Sequence, residues 1–308
     1  MELDLTSGVL PSDPNFGTTE LDDSYLETIT YQGREFQKYS IDNRIHFVPI
    51  DDEEIDRLEL QQRVLSKVFD DRLIFPPIPR PRKILDCGYG SGAWAVEVAE
   101  QYPSCEVIGV DITPHMRPDE MPENLWLQVD DLNRHFTFQS NQFDLVHSRF
   151  VAAGLEKYRW PRYLRDIVRV LKRGGWAQMV EIYFNVQSEN GALTDNHALR
   201  KWSSHYIRAL DDIKDVRAGM KLANLMTTAG LVDVEAKMIP IPLSEWPNDS
   251  RLRDIGRMNR DNAQAFLDSL ALYPFTQRLQ MPQSEFETLV AQARQEADDP
   301  SLKTYVPL

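Results

Sequence analysis

Ile84-Leu85-Asp86-Cys87-Gly88-Tyr89-Gly90-Ser91-Gly92 is the stretch that decides the fold of this chain. Ile84 and Leu85 end a short apolar run suited to a buried strand. Gly88, Gly90 and Gly92 follow as a turn without Cβ atoms, and Ala93-Trp94-Ala95-Val96-Glu97-Val98-Ala99 opens an amphipathic helix. Strand, glycine turn and helix together let backbone N–H groups approach a nucleotide-like ligand. Downstream, Val107-Ile108-Gly109-Val110 forms a second apolar run that ends on Asp111. An acid about 20 residues past such a loop suits the two hydroxyls of a ribose.

The glycines alone leave the ligand open, because Gly88-x-Gly90-x-x-Ala93 also satisfies the dinucleotide fingerprint. Asp86 shifts the balance. A carboxylate directly before the glycines repels a pyrophosphate and suits a cationic group. The chain also has no Tyr-x-x-x-Lys pair, which one large dehydrogenase class requires. Further runs keep an alternating order. Val129-Asp130-Asp131-Leu132 ends a third strand, Gln142 to His147 forms a fourth, and Leu171-Lys172-Arg173-Gly174-Gly175-Trp176 leads from a helix into a fifth. The spacing predicts strands near 83–87, 106–110, 125–129, 143–147 and 176–183, with helices near 91–102, 162–172 and 219–229. Residues 231–241 and 302–307 read as two further strands, separated by helical stretches at 251–272 and 282–297. Such alternation implies a parallel sheet with right-handed crossovers.

This ordered series resembles the class I S-adenosylmethionine-dependent methyltransferases over about residues 80–240. A narrower resemblance lies in the flank Tyr31-Gln-Gly-Arg34-Glu-Phe36-x-x-Tyr39 and Phe47-Val-Pro49-x-Asp51-x-x-Glu54-x-Asp56-Arg57-Leu58, which looks like the fungal LaeA-like, or UMTA-type, group. The core Asp86 to Ala95 fits the same group. The resemblance implies an α/β, Rossmann-like fold: a mostly parallel seven-stranded sheet with helices on both faces, a helical N-terminal lid and a helical insertion before the last strand. It implies methyl transfer from S-adenosyl-L-methionine, with S-adenosyl-L-homocysteine as product, and leaves the acceptor open. The first-named member of the group is a nuclear regulator of secondary metabolism, whereas many others methylate small molecules.

Composition sets outer bounds. The chain has 308 residues, of which 42% are hydrophobic, enough for one substantial core and a smaller lobe. No run of about 18 apolar residues marks a membrane span, and Met1 to Leu10 has no basic residue, unlike a secretory signal. Cys87 and Cys105 read as small buried residues of a reducing compartment. A cytoplasmic location is expected, or a nuclear one under a regulatory role. The net charge of −14 is concentrated at one end: residues 1–60 carry 15 acids against 4 bases, and the remaining 248 carry 33 against 30. No basic stripe marks a phosphate-tracking surface, so nucleic acid is not an expected partner. No His, Asp and Glu cluster has metal-ligand spacing.

Residues 1–24 read as a flexible acidic tail, 25–81 as a lid and helical segment, and 82–308 as the methyltransferase domain, with 186–216 and 244–300 on the substrate side. Asp51-Asp52-Glu53-Glu54 suits a helix start, and Ile55, Leu58, Leu65, Val68 and Phe69 give a helical stripe as far as about residue 75. The aromatic flank could also serve as an arm exchanged within a homodimer. The cofactor residues expected are Gly88, Gly90 and Gly92 at the methionine and ribose, Asp86 at the amino group, and Asp111 with Ile112 at the ribose. Asp130, Asp131 and Leu132 are expected at the adenine, although the two acids equally suit a helix cap. His147, at the end of the fourth strand beside the cofactor, orients substrate or accepts a proton, or else is bonded to neighbouring backbone. On the substrate side stand Glu181, His205 and Tyr206. Trp202, His205 and Tyr206 can share one helical face, against which a flat aromatic acceptor fits with a histidine as base. Arg57 reads either as a cofactor neighbour or as a surface ion pair.

Overall fold

The computed structural model describes residues 19–308, so 1–18 of the expected acidic tail lie outside the described residues. A hairpin of β1 (Thr28–Tyr31) and β2 (Arg34–Gln37) turns at Gln32 and Gly33, both with positive φ, the geometry of a two-residue hairpin. A short α1 (Lys38–Asp42) leads to α2 (Asp52–Val68). The Asp51 side chain accepts from the N–H of Glu54 and caps α2, and the same carboxylate takes two bonds from Arg34 at 2.6 and 2.7 Å. One acid therefore both starts the helix and anchors the hairpin to it. The helix stops at Val68 rather than near 75, because Asp70 and Asp71 adopt left-handed backbone.

The central sheet contains β3 (Lys83–Cys87), β4 (Glu106–Asp111), β5 (Leu125–Val129), β6 (Phe143–Arg149) and β7 (Leu171–Val180). All pairings are parallel, in the order β5-β4-β3-β6-β7. Side chains alternate across it. Ile84, Val107 and Leu145 face α3 (Ala93–Gln101), whereas Leu85, Ile108 and Val146 face α4 (Trp160–Val170). The chain runs outward through β3, β4 and β5 and returns to β6 on the other side of β3. That reversal leaves a crevice at the carboxyl ends of β3 and β6.

The expected seven-stranded sheet is replaced by this five-stranded sheet and a separate antiparallel one. In the latter, β8 (Gln187–Ser188) and β9 (Pro240–Pro242) flank β10 (Thr304–Pro307). The predicted strand 231–241 is confined to its last residues. Asp233 has left-handed backbone, and residues 231–238 have no ladder partner. Pro240 and Pro242 lack the N–H that would extend the pairing. The small sheet joins the large one just past β7, where the Tyr183 N–H donates to the Pro307 carbonyl at 2.9 Å.

The remaining helices are α5 (Ala198–Leu210), α6 (Leu222–Thr228), α7 (Ser250–Ser269) and α8 (Gln283–Asp298). Of these, α5, α7 and α8 form one core with the hairpin and α2, through Phe36, Val64, Trp202, Phe266, Phe275 and Leu289. Trp202 is fully buried, and its indole N–H donates to the Leu267 carbonyl at 2.7 Å. The N-terminal segment and the insertion are thus packed as one body over the carboxyl edge of the sheet. Among the described residues, no helix is long and apolar enough to cross a membrane.

Candidate active site

At that edge lies a cleft enclosing about 1220 Å³, open solvent at its mouth included. Gly88, Tyr89, Gly90 and Ser91 line it from the loop after β3, Asp111 and Ile112 from the end of β4, and Asp130, Asp131 and Leu132 from the end of β5. The opposite wall comes from Ile45, His46, Val48 and Pro49, from the α2 residues Glu54, Arg57, Leu58 and Gln61, and from Phe184, Tyr206 and Leu270. Seven of the expected cofactor residues therefore meet in one cavity.

The loop is shaped by backbone geometry. Gly88 has φ +80°, and a Cβ there would meet the Val151 side chain at 2.8 Å. The Asp111 carboxylate accepts from the N–H of Gly90 and of Thr113, each at 3.0 Å. Burial raises its pKa to about 6 against those bonds. Two bonds leave part of a carboxylate's acceptor capacity facing the cavity. Asp130 accepts from the Asp131 N–H at 2.8 Å, and burial raises its pKa. Asp131 accepts from both the N–H and the side-chain amide of Asn133, so it caps a turn while lining the cavity.

Other expected residues lie outside the cavity wall. Gly92, with φ +78°, sits behind the loop, where a Cβ would meet Pro118 at 2.8 Å. Asp86 and His147 are register neighbours on β3 and β6, and the imidazole Nδ1–H donates to the Asp86 carboxylate at 2.7 Å. The ring stacks on Trp94 at 3.6 Å. Burial pulls the His147 pKa below its ordinary value, against the field and hydrogen bond of Asp86. His147 is therefore held beneath the loop, outside the cavity wall, and it engages one oxygen of Asp86. The ring instead borders a small separate pocket with Gln62, Phe75 and Gln178.

Glu181 also lies outside the cavity wall. Its two oxygens accept from the N–H of Val151 at 2.8 Å and of Ala152 at 3.3 Å, although burial raises its pKa to about 8. It holds the cavity loop that begins at Phe150, a residue in left-handed backbone. On α5, Tyr206 lines the cavity and stacks on Trp202 at 5.2 Å, whereas His205 does not reach it. The His205 ring bonds to the Lys201 carbonyl at 2.6 Å and borders an outer groove with α8. Trp202, His205 and Tyr206 therefore do not present one face to the ligand.

Arg57 is a buried cavity residue. It donates to Glu54 at 2.6 and 3.0 Å, to Gln61 at 2.7 Å and to Asn262 at 3.1 Å. Arg149 also lines the cavity, bonded to Gln62 at 2.7 Å, and burial lowers its pKa to about 10 against the fields of Asp86 and Glu97. Sequence reasoning missed His46, Tyr89, Ser91 and Met116. His46 carries no motif spacing, and only the path from the hairpin into α2 brings it to the cavity.

A doubly wound parallel sheet with a glycine loop and successive strand-end acids around one cleft fits the class I methyltransferase architecture. Comparison of the sequence with known families and relatives agrees. The family described as a methyltransferase domain matches residues 84–175. The chain is 29% identical over 270 residues to the secondary metabolism regulator laeA of Monascus pilosus, covering 85% of this chain and 71% of that protein. It is 27% identical over 300 residues to the methyltransferase pytC of Aspergillus terreus, covering 96% and 90%. Among solved structures, Haemonchus contortus phosphoethanolamine N-methyltransferase 2 aligns at a TM-score of 0.47 and 17% identity, over 80% of this chain and about half of that one (50%). The chain thus carries a methyltransferase domain over residues 84–175 and is similar, over most of its length, to the LaeA-like group.

Proposed function

We propose that this chain methylates a small molecule of secondary metabolism at oxygen or nitrogen. The observation that carries the reading is continuity: one cavity runs from the loop 88–91, Asp111 and Asp130 to an apolar wall of Ile45, Val48, Phe184 and Leu270. The first end suits a nucleoside. Gly88 and Gly90 admit it closely, Asp111 accepts from the ribose hydroxyls, Asp130 from the adenine amine, and Ile112 and Leu132 pack on the base. Asp86 contributes from beneath the loop through its field. The second end suits an apolar or aromatic acceptor. S-adenosylmethionine supplies an activated methyl on a sulfonium, so the protein has only to align the acceptor, exclude water and receive a proton. The N-terminal segment 25–81 and the insertion act as the closing wall.

Calorimetric titration with S-adenosylhomocysteine and transfer of labelled methyl to a metabolite pool test this reading. Binding with a labelled small-molecule product supports it. No heat with S-adenosylhomocysteine overturns it. A second reading, a regulator acting through protein partners, is favoured by the name of the Monascus relative. Capture of defined partners by a protein that labels no acceptor would select it. The first reading places the protein in the cytoplasm and the second in the nucleus.

A further inference from the structure

The acceptor wall holds one histidine, and neither of its ring nitrogens has a partner among the described residues. Of six histidines, five have a hydrogen-bonding or ionic partner within the protein: His115 with the Leu26 carbonyl, His135 with Asp166, His147 with Asp86, His197 with Thr194 and His205 with the Lys201 carbonyl. His46 has none among the described residues, and it is the histidine that lines the main cavity. The other titratable groups in or next to that wall are committed. Glu54 is bound by Arg57, and both Glu181 oxygens take backbone N–H groups. Tyr206 lines the cavity, and burial raises its pKa, so its hydroxyl stays a donor.

Charge narrows the acceptor further. The groups acting on His46 are Arg57 of α2 and Lys214, which follows α5. Lys214 is buried, and its ammonium donates to the Gly154 carbonyl at 2.7 Å. Glu54 on α2 and Glu181 after β7 act on neighbouring Tyr206. With Glu54 paired to Arg57, this end does not hold a lasting cation, so the acceptor must shed its charge as a proton that passes on to solvent; a hydroxyl does so and a tertiary amine does not. Burial together with Lys214 and Arg57 lowers the His46 pKa to about 4, so the ring is neutral at pH 7.

Taking the methyltransferase reading as the ground, we propose that His46 is the proton acceptor of the transfer and that the methyl acceptor is a neutral hydroxyl, on an apolar or aromatic skeleton. The acceptor oxygen forms a bond to the methyl carbon as the carbon–sulfur bond breaks and its electron pair stays on sulfur. The hydroxyl proton passes to the His46 imidazole. Positive charge thus moves from the sulfonium to the imidazolium, which releases its proton to solvent. The Tyr206 hydroxyl donates to the acceptor oxygen and orients it. An acceptor without a proton to lose, such as a thioether, has no use for this residue.

The test compares wild type, His46→Ala and His46→Gln. Calorimetry with S-adenosylhomocysteine comes first, and all three bind within about threefold; no heat from wild type sinks the methyltransferase reading and not this assignment. Labelled methyl transfer is then measured to 4-nitrophenol and to 4-nitrothiophenol, which reacts as its thiolate. Both variants lose about 10²-fold or more in kcat on the phenol below its ionisation. They recover as pH ionises the phenol and keep wild-type rates on the thiol. Equal losses on the two probes, no loss on the phenol, or wild-type turnover of the thiol alone overturns the assignment. The His46 ring resonance of the S-adenosylhomocysteine complex gives a readout independent of turnover. It shifts on adding 4-nitrophenol, and a ring that does not respond overturns the proposal even where neither probe is methylated.

Discussion

Asp111→Asn probes the nucleoside end most sharply. At pH 7.5 the carboxylate is ionised, because burial raises its pKa only to about 6. It already accepts from Gly90 and Thr113 and faces the cavity with its remaining lone pairs. Two ribose hydroxyls bonded there are charge-assisted, at about 1.5–3 kcal/mol each. An amide keeps one oxygen, loses the charge, and turns an N–H toward either Gly90 or Thr113, donor against donor. The net loss is about 3 kcal/mol, or roughly a hundredfold in Kd. Isothermal titration with S-adenosylhomocysteine measures it, with the melting temperature as a control for the fold. A Kd within about threefold of wild type in a folded variant would refute the ribose role.

Acid should weaken the same binding. Ribose donors favour the carboxylate, so the Asp111 pKa falls from about 6 in the complex, and binding below pH 6 releases a proton. Affinity then drops by about tenfold in total between pH 7 and pH 5 in wild type and stays flatter in Asp111→Asn; equal slopes in the two proteins would contradict this. His147→Ala strands the buried Asp86 carboxylate and removes the stack on Trp94. A loss of about 3 kcal/mol is expected in denaturant unfolding, and a loss below about 1 kcal/mol would mean that the pair is dispensable. Gly256→Ala places a Cβ 2.0 Å from the Ser244 carbonyl oxygen. Overpacking against backbone costs about 3 kcal/mol. The melting temperature should fall by roughly 6–12 °C, and an unchanged melting curve would show that α7 can move aside.

The first three strands of the central layer were readable because each is an apolar run closed by a turn residue or an acid, whereas β7 begins at Leu171 in a basic, glycine-containing stretch that reads as a helix end. Lys83–Cys87 and Leu125–Val129 begin and end where those runs do. Asp51 and the acids after it likewise mark the start of α2, where capping and the helix dipole act within a few residues. Pairing partners are not local. Residues 231–239 look strand-like, yet their place in a sheet depended on a neighbour that the fold does not supply. The Asp86–His147 bond follows from the register of two parallel strands 61 residues apart, which no local pattern encodes.

Within the site, the acids at strand ends were visible because a doubly wound sheet brings successive strand ends to one crevice. Helix faces were harder. Trp202, His205 and Tyr206 have the spacing of one face, but α5 is buried on more than one side. The core took Trp202, the cavity took Tyr206, and His205 was left against the outer groove. Arg57 was ambiguous for a related reason: α2 buries a polar row of Glu54, Arg57, Gln61 and Gln62, and hydropathy assigns such a row to solvent. That row became internal because α7 packs on it and Asn262 completes its hydrogen bonds.

The most direct measurement is the crystal structure of the protein grown with S-adenosylhomocysteine. The account predicts the nucleoside along Gly88–Ser91, its ribose hydroxyls within hydrogen-bond distance of Asp111, its adenine beside Asp130, and its sulfur turned toward the wall that carries His46 and Tyr206. A nucleoside bound elsewhere, or one in this cleft with its sulfur turned away from that wall, would contradict it.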